Sequence, residues 1–250
     1  MLNELNLRSE FCKSLMFSKM AKTKKKDVKD TGFESVENAL SKTEQYIEEN
    51  QKSLTIIVSA IALIVAVYLG YKRFYLAPTE KEAQAEMYMA EKYFEVDSFR
   101  LAMEGDGSYL GFLDIIDEYG ITKSANLSHY YAGICYLRMG DFEGAIEELK
   151  KFDANDVMVA TVALGAMGDA YVELGELKEA LSFYIKAAAR KKNDFTTPIY
   201  LKKTGLVYEE MGEYDKAIQM YESIEKEYPQ SQEAFDIEKY ITAARVRSGQ

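Results

Sequence analysis

Histidine and cysteine are almost missing from this chain of 250 residues: His129 is the only histidine, and Cys12 and Cys135 are the only cysteines. Metal centres need several His, Cys, Asp or Glu side chains converging on one point, so no donor set for a metal can be read here. A nucleophile needs a neighbouring base, itself oriented by a third group, and one histidine does not supply that constellation. The expectation is a protein that is not an enzyme, with no catalytic, cofactor-binding or metal residues. Cys12 and Cys135 flank a long apolar run and could not pair across a bilayer, so an exported domain would not rely on disulfides. Cys135, among apolar neighbours, reads as a small core residue. His129 reads as a packing or edge residue at the start of a helix.

The composition is that of a globular chain, 48% hydrophobic and 12% aromatic, with 19 Tyr against 12 Phe. The net charge of -10 is uneven: after Arg73 the sequence holds 32 acidic and 19 basic residues. That balance argues against a nucleic-acid partner. It suits a solvated face that keeps a domain soluble.

One stretch does not suit a soluble core. Ser53 to Tyr71, SLTIIVSAIALIVAVYLGY, carries no charge and is bracketed by Lys52 and by Lys72 and Arg73. At about 1.5 Å per residue it spans about 28 Å, close to the hydrocarbon thickness of a bilayer. Residues 53–73 are therefore expected to form a transmembrane anchor, with Tyr68, Tyr71 and Tyr75 as interfacial aromatics; the competing reading is a buried core helix. No small-x-small site follows before Lys72, so the anchor is expected to stay uncleaved.

Residues 1–32 read as a basic tail, with Lys22, Lys24, Lys25, Lys26 and Lys29, and Met20 is a credible start of its own. The tail is read as cytoplasmic. Near the run the charges are almost balanced, Lys42 and Lys52 before it against Lys72, Arg73 and Lys81 after it. Residues 33–52 place Phe33, Val36, Leu40 and Ile47 on one helical stripe, either an amphipathic helix touching a partner or lipid, or a stalk continuing the anchor.

Residues 74–250 read as one domain built on a repeat. Gly168, Tyr171, Gly175, Ala180 and Tyr184 return as Gly205, Tyr208, Gly212, Ala217 and Tyr221, and an earlier copy reads Gly133, Tyr136, Gly140, Ala145 and Leu149. A period of about 35 residues with two apolar helices around a Gly turn is a helical-hairpin solenoid unit. Gly inside a helix costs about 1 kcal/mol relative to Ala, and close approach of the second helix would offset it. Tyr136, Tyr171 and Tyr208, three residues on, share a face with each Gly and are expected to fill the gap beside it. Gly140, Gly175 and Gly212 fall where a left-handed residue ends each first helix. The repeats are bounded at about 127–159, 161–194 and 198–230. Residues 231–247, with Ser231 as helix cap, close the solenoid.

Residues 83–121 read as a divergent hairpin. Gly105, Gly107 and Gly111 come near a G-x-G-x-x-G phosphate loop, but the spacing fails and no strand precedes it.

At the repeat residues the chain resembles the tetratricopeptide repeat family. The third copy fits best, adding Tyr214 and Pro229; the second has Ala187 but Lys192 where Pro is usual, the first has Phe152 and Val157, and none has the opening Trp. The resemblance implies an all-α solenoid that binds proteins through a groove lined by first-helix positions. These carry over as Tyr130, Ile134 and Arg138, then Asp169, Val172 and Glu173, then Lys202, Leu206 and Glu209. Members that bind chaperone tails hold a carboxylate with a Lys and Asn clamp. Only Lys202 resembles it, with Ile134, Asp169 and Leu206 where asparagines would be sought, so no preference for acidic C-terminal peptides is expected.

The order of basic tail, amphipathic helix, anchor and repeats also resembles the ancillary subunits of the bacterial Sec translocon. That implies a single-pass inner-membrane protein with a cytoplasmic N-terminus and periplasmic repeats, touching translocon subunits, chaperones or exported chains, and free to oligomerise. The alternative is a scaffold for another envelope assembly or for cell division; a nucleotide-dependent enzyme or sensor is the distant third reading.

Overall fold

The computed structural model describes residues 46–153 and 156–249. The basic tail, Cys12, Met20 and the stripe positions Phe33, Val36 and Leu40 lie outside the described residues. The chain divides into two units, with the boundary between Ala66 and Val67.

Helix α1, Gln51–Tyr71, begins in the first unit and has no buried residue. It is a candidate membrane span by length and composition. A helix apolar on every face belongs in a protein interior or a bilayer. Ile47, the one described residue of the stripe, is exposed.

In the second unit a π-helical turn, Lys72–Leu76, leads into α2, Ala77–Glu95. Then come α3 (Phe99–Glu104), α4 (Phe112–Glu118), α5 (Lys123–Met139), α6 (Phe142–Lys151), α7 (Val159–Glu173) and α8 (Leu177–Ala189). After them come α9 (Thr196–Glu210), α10 (Tyr214–Glu227), a 3-10 turn at Glu233–Asp236 and α11 (Ile237–Ser248). Among the described residues there is no strand. His129 lies inside α5, six residues past its first residue, because Thr122 starts that helix by accepting the Ala125 amide at 3.0 Å. Ser231 caps the 3-10 turn through the Ala234 amide, not α11, which begins at Ile237.

The hairpin turns follow the local chemistry. Gly140, Gly175 and Gly212 are left-handed, at φ of 84°, 74° and 76°. The amides one residue later, in Asp141, Glu176 and Glu213, donate back to the carbonyls of Tyr136, Tyr171 and Tyr208 at 2.8–3.0 Å, closing each first helix. The side chain expected beside each interior Gly is a different one. A Cβ on Gly133 would lie 2.6 Å from Leu149, one on Gly168 would lie 2.5 Å from Tyr184, and one on Gly205 would collide with Tyr221. The filler therefore comes from the second helix. Tyr171 instead stacks on Phe183, with ring centroids 5.3 Å apart.

The region around residues 83–121 holds three helices, and its first turn repeats the same device. Asp97 takes the left-handed position at φ 56°, and the Ser98 amide donates to the Tyr93 carbonyl at 2.9 Å. Ala90 and Ala102, each fully buried, stand where the repeats have their interior Gly and their Ala. The loop at residues 105–111 is filled by its own side chain. Asp106 accepts the Ser108 and Tyr109 amides at 2.8 Å each and the Tyr93 hydroxyl at 2.7 Å, so donors that a phosphate would require are engaged.

The first helices run parallel. Glu80 accepts the Lys123 amide at 2.6 Å and the Ser124 hydroxyl at 2.9 Å, Ser128 reaches Met87, and Arg138 faces Asp97, so α2 and α5 are aligned start to start. Asn126 at the start of α5 is tied to Asp153 in the loop before α7 at 2.8 and 2.9 Å, Asp169 pairs with Lys203 between α7 and α9, and Lys202 with Asp236 and Glu209 with Arg247 set α9 start to start and end to end with α11.

Candidate functional site

The nine positions expected to line a groove separate into three kinds. Tyr130 and Ile134 pack against the cluster of Leu149, Ala163, Ala166 and Met167, and Val172 packs beside Ala180 and Tyr184. The Tyr130 ring centroid lies 5.5 Å from that of Phe152. These three belong partly to the interior.

Asp169, Lys202 and Glu209 hold neighbouring elements together. Asp169 accepts the Tyr184 hydroxyl at 2.5 Å and takes the Lys203 ammonium at 2.6 and 2.8 Å. Burial, and then the adjacent Asp169 charge, push the Tyr184 hydroxyl far above the ordinary phenol range. Glu209 accepts the Tyr221 hydroxyl at 2.7 Å and pairs with Arg247. Burial followed by the bond to Glu209 shifts Tyr221 the same way. Lys202 pairs with Asp236 at 2.8 Å and sits over the Tyr240 ring at 4.4 Å. Burial would lower its pKa, but the Asp236 bond and the Tyr240 contact outweigh that and leave it raised.

Arg138, Glu173 and Leu206 reach solvent. Leu206 is 43% exposed, and Arg138 meets Asp97 only at 3.9 Å. Of the nine expected positions, these three are the exposed ones. Lys203, Tyr184, Tyr221 and Arg247 were not legible as a set in the sequence. The available signal was the acidic residue near the end of a first helix, with a basic residue 34 or 38 positions later.

A second feature lies outside that lining. A cleft of about 190 Å³ opens between α8, α9 and α10, lined by Ile185, Ala188, Leu201, Met220 and Tyr228, with Lys192 and Glu227 also in its wall. Its threonine and serine hydroxyls are engaged: Thr197 accepts the Asn193 amide, Thr204 donates to the Tyr200 carbonyl, and Ser223 donates to the Gln219 carbonyl. Its apolar floor can take an apolar side chain, with Lys192 and Glu227 at its wall.

Two further ionisable groups, Glu148 and Cys135, are tied into the fold. Glu148 meets His129 at 2.7 Å and Lys151 at 2.8 Å. Burial raises its pKa, but the bonds from Lys151 and His129 prevail and hold it below the usual carboxylate range. Cys135 is fully buried, and burial pushes its thiol up to about 12, which makes it a poor nucleophile. Among the described residues no group of three or more His, Cys, Asp or Glu is placed to hold a metal ion.

Comparisons with known proteins agree with this architecture. Tetratricopeptide repeat models match residues 159–226 and 128–155. The crystal structure of the MamA protein is similar at 25% identity, with a TM-score of 0.51, covering 67% of this chain and 82% of that one. Kinesin light chain TPR-like repeats of Podosopora anserina are similar in fold at 13% identity and a TM-score of 0.52, covering 68% of this chain and 89% of that one. No curated protein sequence matches the chain. The tetratricopeptide repeat family, whose repeats serve as scaffolds for protein partners, is thus supported for residues 128–155 and 159–226 by the family models and by the helical solenoid of the neighbouring structures.

Proposed function

We propose that this chain is a membrane-anchored scaffold for protein–protein interaction. The observation that carries the reading is the pairing, in one chain, of an apolar helix with no buried residue and a solenoid of tetratricopeptide repeats. The anchor is the candidate span Gln51–Tyr71, and the partners are proteins, met through the repeats. The placement is a bacterial inner membrane, single-pass, with the basic tail cytoplasmic and the acidic repeats periplasmic. In that setting the partners are translocon subunits, chaperones or exported chains, and a scaffold for another envelope or division complex is the alternative.

Two experiments test this. Protease added to spheroplasts should degrade the repeats and spare the tail; protected repeats would remove the periplasmic placement. Crosslinked cells expressing wild type should yield partners that an Arg138→Ala, Glu173→Ala, Leu206→Ala triple variant recovers poorly. These three are chosen because they reach solvent, so the variant should fold. Equal recovery would move the binding surface elsewhere, with the cleft between α8 and α10 next.

A further inference from the structure

We infer that the edge of the repeat unit formed by the N-terminal ends of its first helices lies on the lipid surface. This rests on the reading of α1 as a membrane anchor and adds to it a second, peripheral contact.

The first observation is positional. The π turn Lys72–Leu76 carries Phe74, 83% exposed, and Tyr75, which stacks on Tyr71 with centroids 5.5 Å apart. Exposed aromatic rings beside Lys72 and Arg73 at the end of an apolar helix belong at a membrane–water interface. No loop separates that collar from the repeats: α2 starts at Ala77, and Ala83 is already fully buried in the domain. Glu80, about 7 Å of helix beyond Tyr75, holds the start of α5 through the Lys123 amide and the Ser124 hydroxyl. The start of the next first helix is therefore fixed within about two helical turns of the collar. Because the first helices are parallel, their later starts fall on the same edge.

The second observation is what that edge exposes. Ile121, Met158 and Phe195 stand just before α5, α7 and α9, 37 residues apart, and are 54%, 42% and 64% exposed. Single exposed apolar residues are ordinary. Three beside the starts of successive first helices, on one edge, are not explained by packing, since each helix start is satisfied without them: Thr122, Asp156 and Asn193 accept amides in the first turns of α5, α7 and α9. Phe235, in the 3-10 turn before α11, is also largely exposed. Charge does not select an anionic surface, because Asp153 and Asp194 share the edge with Lys123 and Lys192. The contact is the shallow insertion of apolar side chains at the headgroup boundary.

The chain has no tryptophan, so single substitutions report without background. Ile121→Trp, Met158→Trp and Phe195→Trp are placed in the full chain in phosphatidylcholine vesicles, with Phe74→Trp in the collar and Met139→Trp at the far end of α5 as controls. The expected result is blue-shifted emission, lost to brominated lipid, at residues 74, 121, 158 and 195, and unshifted, unquenched emission at 139. Part replacement by phosphatidylglycerol should change this little. Quenching at 74 alone, or at 74 and 121 alone, overturns the inference and leaves the anchor standing. Quenching at 139 as well overturns it by removing the edge preference. No quenching at any position, 74 included, overturns the anchor reading and this inference with it. A blue shift at 121, 158 and 195 without lipid quenching assigns the row to a protein contact and overturns the lipid assignment.

Discussion

The ring of Tyr184 occupies the space that a side chain on Gly168 would need: a Cβ there would lie 2.5 Å from Cε1 of that ring. The same ring carries the hydroxyl that Asp169 accepts at 2.5 Å. One residue of the second helix thus fills the gap in the first helix and bonds the position next to it.

Gly168→Ala should therefore destabilise the folded chain by about 1–3 kcal/mol through overpacking, although Ala is the better helix former. The urea midpoint of the detergent-solubilised protein reads this. In a Tyr184→Ala background the added cost should shrink, and an unchanged cost would separate the two residues.

Tyr184→Phe keeps the ring and removes the hydroxyl, so it should cost about 0.5–1.5 kcal/mol. Lys203→Ala should cost less, a few tenths of a kcal/mol, because both partners of the Asp169–Lys203 pair are about a third exposed and solvent screens them. Equilibrium unfolding of the two variants should rank in that order.

Asp97 occupies at φ 56° the position that is Gly140, Gly175 and Gly212 in the repeats. Asp97→Gly should stabilise by up to about 1 kcal/mol by relieving the left-handed backbone. The long Arg138 contact it gives up is worth little at the surface. A fall in the thermal midpoint would contradict this.

Glu148 has a depressed carboxyl pKa in the folded state. Its contribution is present above the unfolded value of about 4.3 and is lost as pH falls through the lower folded value. Stability should drop as pH falls below about 4, and Glu148→Gln should flatten that limb while lowering stability at pH 7. Urea midpoints from pH 6 to pH 3 decide it.

Lys202 is engaged by Asp236 and by the Tyr240 ring. An acidic C-terminal peptide should therefore show no saturable binding by fluorescence anisotropy, and Asp236→Ala, which frees the ammonium, should raise its weak association.

The sequence by itself determined the features that depend on neighbours along the chain. An uncharged run declares its length and apolarity residue by residue, and a Gly after a first helix declares a left-handed turn, because backbone sterics are local. The all-helical repeat followed from a period of about 35 residues and was legible without any partner. Only the tertiary structure decided which side chain fills each interior Gly. The sequence placed Tyr171 there, three residues along the same helix face, but the crossing of α7 and α8 puts Tyr184 against Gly168 instead, since close helix packing admits one ring at that point. It also decided that Asp169, Lys202 and Glu209 act between elements while Leu206 reaches solvent. Those roles depend on residues 34 to 38 positions away, where a shift of one residue in the packing of parallel helices would exchange partners. Asp97 stayed hidden for a related reason: the residue type is not the usual one for its backbone, and the contacts around it hold the conformation that Gly would adopt freely.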